Sequence, residues 1–207
     1  MNSGYLIFLG AATLLAITPG AGITYVVART VSGGRAEGLA SCLGTALGGF
    51  IHVLAAALGL SMLIAKSATA FSFVKYVGAA YLIYLGIRTL RSARAHIESV
   101  TVRPVGARRA LMEGVLVEAM NVKTAMFFLA FIPQFVRVDA PATAQFLILG
   151  SICVILNTLA DVVAVLGAHR ILASGESKER RGRVMNQVSG LTMIGLGAYV
   201  ALSKQTR

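Results

Sequence analysis

The sequence has no tryptophan, four prolines and two cysteines, and only 13% of its residues are charged. So little charge excludes an ordinary soluble domain, where about a quarter of the residues carry it. Cys42 and Cys153 lie inside apolar runs, which excludes a secreted disulfide framework. No charged segment precedes the first apolar run. That run also outlasts a signal-peptide core of about 7–15 residues, so we read it as a retained membrane span. Acidic residues number eight against nineteen Lys and Arg, for a net charge of +11. The bases cluster between apolar runs, a pattern of loops on one membrane face that argues against nucleic-acid binding. No nucleophile–base arrangement of a hydrolase is present, so the chain reads as no enzyme, and nothing in it calls for a cofactor or a resident metal.

What the chain has is hydrophobic length. Of its 207 residues 57% are hydrophobic, and the mean hydropathy is +0.78. A span needs about 20 mostly apolar residues, and six runs qualify, near 4–28, 38–65, 71–90, 112–136, 142–168 and 185–203. Runs this long and apolar form helices, because lipid leaves no other way to satisfy the backbone. The fold class is therefore an all-α membrane protein of six transmembrane helices. Loops one, three and five carry twelve Lys and Arg against four in the other loops and the ends. The positive-inside rule then puts both termini outside the cytoplasm, with the protein in the cell inner membrane and its basic loops against anionic lipid. A single membrane domain, 1–207, divides into a first repeat of about 1–90, a basic cytoplasmic loop 91–110 and a second repeat of about 111–207. Three helices per half force the halves to be inverted relative to each other.

Two of the runs are interrupted. Thr18-Pro19-Gly20-Ala21-Gly22 breaks the first, and Glu118-Ala119-Met120-Asn121-Val122-Lys123 sets an acid, an amide and a base inside the fourth. Pro19-Gly20 and Asn121-Lys123 lie about 102 positions apart, in the first helix of each half. Paired interruptions in matching halves point to a transporter binding site. Charges at membrane depth cost roughly 2.5–3.5 kcal/mol each on insertion scales, and they mark substrate or proton paths. At about 1.5 Å per residue, Pro19, Glu118 and Asp161 lie about 13, 12 and 10 Å from the cytoplasmic face, one depth band. The candidate substrate and proton site is therefore Pro19, Gly20, Glu118, Asn121, Lys123, Asn157 and Asp161. Lys123 stands about 140° from Glu118 on a straight helix, so both face one cavity only if the backbone unwinds near Asn121.

Plainer readings stand beside these. Glu118 and Asp161 could be neutral carboxyls, or one could pair with Lys123, merely locking helices. Asn121 and Asn157 could be interhelical glue worth about 0.6 kcal/mol. His52 reads as a hydrogen-bonded core histidine, and Lys75 as a side chain snorkelling to the outer face. Phe127, Phe131 and Phe135 form a packing stripe, and Gly44 with Gly48 gives a small-xxx-small contact face.

The sequence resembles the LysE/RhtB family of amino-acid exporters over nearly its whole length. The matching residues are Ile17-Thr18-Pro19-Gly20, Gly34-Arg35, Gly38, Gly44, Gly48 and the run Gly78 to Gly86. In the second half they are Asn121-x-Lys123, Phe127-Phe128, Phe131-x-Pro133-Gln134-Phe135 and Leu159-Ala160-Asp161. The chain departs from the family at Ala21 and Val122, where prolines are expected, and at Glu118, where relatives often have Asn. The resemblance implies efflux of an amino acid or similar metabolite, driven by the proton gradient. Partners are then a small-molecule substrate, protons and lipid, and Gly-rich faces allow a homodimer. A metal-cation exporter is the alternative, disfavoured by the lack of a dense ligand cluster. A thiol–disulfide relay would need Cys42 and Cys153 together, yet their depths differ by about 15 Å against the 4.4–6.8 Å Cα spacing of disulfides.

Overall fold

The computed structural model describes residues 3–92, 103–137, 139–172 and 175–203, helical almost throughout and without a strand among them. The first helix, α1, runs Ser3–Ile17. It stops where Pro19 removes a backbone donor and Gly20 is extended, at φ −141° and ψ −168°. The second, α2, runs Ala21–Ala55 and passes through Gly34, whose φ of 76° is left-handed. A side chain would be strained there, and glycine is not.

Gly34 turns α2 back on itself. A straight helix would hold residues 22 and 45 about 35 Å apart. Instead, a Cβ on Gly22 would sit 3.9 Å from Thr45 Cγ2, and one on Gly38 would sit 2.2 Å from Thr30 Oγ1. The stretch 29–37, expected as a loop between the first two runs, is thus helical except at Gly34, since a helix on either side satisfies backbone groups that an open turn would leave bare. The first expected run, 4–28, is divided at Thr18–Gly20, and its second piece reaches residue 33.

The second arm of α2 continues through a π-helical turn, Ala56–Leu60, into α3, Ser61–Lys66. Helix α4 is Ala68–Ser92. Gly106, at φ 85°, precedes α5, Ala107–Ala119. The chain leaves helix at Met120–Asn121 and resumes as α6, Val122–Met126, followed by a π turn, Phe127–Phe131, and a 3-10 turn, Ile132–Phe135. Helix α7 is Ala142–Leu172, and α8 is Gly175–Leu202. Among the described residues three stretches are long and apolar enough to cross a membrane: Ala21–Leu63, Thr69–Arg91 and Ala142–Ala168. Ala107–Ala119 with Val122–Phe135, bent by 41°, makes a fourth.

Glycine sets the closest helix contacts. Cβ atoms on Gly44 and Gly48 would come within 2.2 and 2.5 Å of the Leu111 and Val115 carbonyl oxygens, so α5 lies directly on the second arm of α2. Gly86 and Gly190 bring α4 and α8 equally close. The core is aromatic, with Phe8, Phe127, Phe131 and Phe146 fully buried, and Phe127 and Phe131 stacked at 4.7 Å. Large apolar side chains such as Phe73, Val163 and Leu202 face outward, as lipid-facing positions would. Lys75 does not snorkel. It is buried, and its ammonium donates to the Ser203 carbonyl at 2.5 Å, beyond the last turn of α8. The bare carbonyls there are a nearer partner than water outside.

Candidate functional site

The two helix breaks face each other, and the first is completed by a lysine from the second. At the first, the carbonyls closing α1 keep acceptor capacity to spare, Leu15 O accepting from the Thr18 amide at 3.2 Å. Lys123 Nζ donates to two of them, Leu15 O at 3.2 Å and Thr18 O at 2.8 Å. A positive charge suits a helix C-terminus, and Gly20 makes room for it, since a Cβ there would meet Nζ at 2.9 Å. Glu118 lies against the first turn of α2, where a Cβ on Gly22 would meet its Oε2 at 2.8 Å. Negative charge suits that end. Gly20 caps α2 without a side-chain hydrogen bond.

The second break is held by Asn121. Its Oδ1 accepts from the Lys123 amide at 3.1 Å, an N-cap for α6, and its Nδ2 donates to Glu118 Oε2 at 2.9 Å. Thr124 Oγ1 donates to Glu118 Oε1 at 2.6 Å. Both oxygens of Glu118 are therefore gripped. His52 Nε2 lies 2.8 Å from the Glu118 carbonyl oxygen. A carbonyl only accepts, so Nε2 carries the proton.

Asp161, on α7, is held more loosely. Thr45 Oγ1 lies 2.8 Å from its Oδ2 and 3.0 Å from the Cys42 carbonyl. Its other oxygen has no protein partner among the described residues. Asn157, one turn earlier on the same face, has a side chain equally without one. These groups border a cavity of about 460 Å³, counting its mouth, lined by Glu118, Asn121, Lys123, Asn157 and Asp161 among others. Below it lies a polar floor. Arg29 pairs with Glu113 and donates to the Arg103 carbonyl at 3.1 Å. Tyr25 donates to the Ala110 carbonyl at 2.7 Å. Glu37 Oε1 accepts from the Val105 and Gly106 amides at 2.9 and 2.6 Å.

Of the seven site residues read from the sequence, five line this cavity. Pro19 and Gly20 do not line it. They stand at its edge, Pro19 accepting from Ser189 and Gly20 against Lys123. Thr18 and Gly22 of the first interruption also line it, as do Thr45, Thr124 and Thr158, the last three unflagged because threonine is ordinary in membrane helices. Lys123 forms no ion pair with Glu118 or Asp161. The pairs among the described residues are Arg29–Glu113, Arg109–Glu113 and Arg137–Asp139. The alternatives gain nothing: no group of three or more His, Cys, Asp or Glu that could hold a metal occurs among the described residues. Cys42 and Cys153 are unpaired and buried in different clusters.

Polar groups gathered in a cavity beside interrupted apolar helices are the arrangement that transporter binding sites use. The profile of the LysE type translocator family matches residues 13–204, and the chain belongs to that family. It is 32% identical over 202 residues to the homoserine/homoserine lactone efflux protein of Salmonella typhimurium, covering 95% of each. It is 29% identical over 209 residues to the leucine efflux protein of the same organism, covering 95% of this chain and 94% of that one. An uncharacterized membrane protein of Vibrio cholerae is 28% identical over 97% of each chain. No solved structure matches. The protein is thus a membrane transport protein and not an enzyme, of the family that includes amino-acid efflux proteins.

Proposed function

We propose that this protein is a proton-coupled secondary exporter, moving an amino acid or a related small metabolite out of the cytoplasm by alternating access. One observation carries the reading: Asp161 offers a single unheld carboxylate oxygen to a cavity bordered by two helix breaks, one from each half. The relatives' efflux names support the substrate class.

Six spans follow if α1 with the first arm of α2, the second arm with α3, α4, α5 through Phe135, α7 and α8 each cross once. The halves, 1–90 and 111–207, are then inverted repeats joined by the basic loop 91–110. The matched breaks and the packing of α4 against α8, the third element of each half, support that pairing. The charge of loops one, three and five supports placing the polar floor at the cytoplasmic face, and both termini outside, in the inner membrane.

Thr45 supplies a proton-handling device. Its hydroxyl has one proton to donate and lone pairs to accept. With Asp161 ionised, the hydroxyl donates to Oδ2. With Asp161 protonated, the acid donates to Thr45 and the hydroxyl turns to the Cys42 carbonyl. Either state is hydrogen-bonded, so the acid takes and gives a proton without orphaning a buried group. A proton entering from outside displaces the substrate ammonium from Asp161, and release of that proton to the cytoplasm readies the site again.

Purified protein in proteoliposomes tests this. Asp161→Asn should keep pH-independent exchange at a reduced level and lose accumulation driven by an imposed pH gradient. Gradient-driven transport surviving in Asp161→Asn would end the proton assignment.

A further inference from the structure

The cavity has an anion end and a cation end, and the anion end is already filled. Its donors are the first-turn amides of α2, which no side chain caps, and Lys123. Two of the three Lys123 ammonium protons are spent on Leu15 O and Thr18 O. Glu118 stands at this same helix end, with Oε2 against Gly22. It is 6% exposed and fixed through both oxygens by Thr124 and Asn121. Rotating it aside forfeits both bonds. A substrate carboxylate reaching for the amides would meet this buried carboxylate at close range, where repulsion is strong. With Glu118 and Asp161 ionised against Lys123, the cavity carries one excess negative charge. Asp161 and the free Asn157 amide remain for an ammonium and a neutral polar group.

We infer that Glu118 is a resident carboxylate occupying the place of a substrate's own, so that the transported species is an organic monocation lacking a free carboxylate. That class comprises simple amines and amino-acid esters, lactones or amides with a free ammonium. The inference rests on the reading of the cavity as the substrate site, and it narrows what that site admits.

Titration calorimetry on the purified native protein tests it with pairs of one carbon skeleton: leucine methyl ester against leucine, which share a side chain, and homoserine lactone against homoserine, where the ring also takes up the side-chain hydroxyl. The ester and lactone should bind about tenfold or more tightly than the free acids, the scale of discrimination that one like-charge contact gives. Glu118→Gln should shrink that ratio to near unity by strengthening the acids. Glu118→Asp, which keeps the charge but withdraws it by one methylene, should give an intermediate ratio and stands in if Glu118→Gln does not fold. Equal binding of acid and ester by the native protein, or an unchanged ratio in both variants, overturns the inference and leaves the substrate site standing. Binding of none of the four compounds by folded native protein overturns the site reading and the inference with it.

Discussion

Asn121→Ala is the sharpest perturbation of the site. Asn121 has two tasks, capping α6 through the Lys123 amide and holding Glu118 Oε2. Loss of an N-cap costs about 1 kcal/mol. A hydrogen bond to a charged group is worth about 1.5–3 kcal/mol in water-soluble proteins. Their sum, about 2.5–4 kcal/mol, is an upper figure. In a bilayer the unfolded chain also finds partners, and measured interhelical polar contacts average about 0.6 and reach about 1.7 kcal/mol. Because Glu118 is buried and accepts a hydrogen bond at each oxygen, its bond belongs at the upper end of that range. We expect a total loss of about 2–3 kcal/mol, of which about 1–2 is specific to the Glu118 contact. The assay is reversible unfolding in mixed micelles, followed by circular dichroism, in a double-mutant cycle of Asn121→Ala with Glu118→Ala. Asn121→Ser, which retains a capping oxygen, should recover the cap's share alone. A coupling below about 0.5 kcal/mol would refute the picture of Asn121 as the clamp on Glu118, since that is the scatter of independent sites.

Five further outcomes follow from the geometry. Gly44→Ala should destabilise by about 1–3 kcal/mol, because its methyl group meets the Leu111 backbone and α5 must retreat. Gly195→Ala, with nothing within 4 Å, should be neutral or slightly stabilising in the same micelles. Gly20→Ala displaces a flexible lysine end, so it should leave unfolding nearly unchanged while lowering transport in proteoliposomes by about tenfold, the effect of losing one well-placed contact. Thr45→Val should cut gradient-driven efflux several-fold and leave exchange largely intact, and Thr45→Ser should restore the coupled rate. On the surface, the hydrogen bond from Arg137 holds the Asp139 carboxyl below its ordinary range. Such a group stabilises above its unfolded pKa and loses the effect as pH falls through the folded one. The small stability gap between native protein and Asp139→Asn should therefore be present at neutral pH and close in acid. A gap that widened in acid would have the wrong sign.

The apolar runs and both interruptions were legible in the sequence because charge and proline are conspicuous in oil. Glu118 and Lys123 could be read as facing one cavity only through unwinding near Asn121, and the backbone does leave helix there. It does so without a proline at Val122, because the Asn121 side chain supplies the cap. What the sequence hid is pairing across the halves. Lys123 stands five positions from Glu118 and invites a local ion pair, yet the break turns it toward carbonyls 105 positions earlier. Thr45 and Thr124 resemble any membrane threonine until the carboxylates they hold are placed in space. Lys75 escaped for the same reason as Lys123: the C-terminal carbonyls of a distant helix are invisible in a local window.

The crossed caps have a consequence for biogenesis. When the ribosome has made α1 and Thr18, the carbonyls of Leu15 and Thr18 have no lysine to receive. The chain must lengthen by 105 residues before one arrives, about 5–20 s at ordinary rates of synthesis. For that interval the nascent first half sits in the bilayer with an open polar wound, which water, lipid headgroups or the insertion machinery must dress. The membrane thus receives this protein in provisional form, and only emergence of the fourth hydrophobic run seals it.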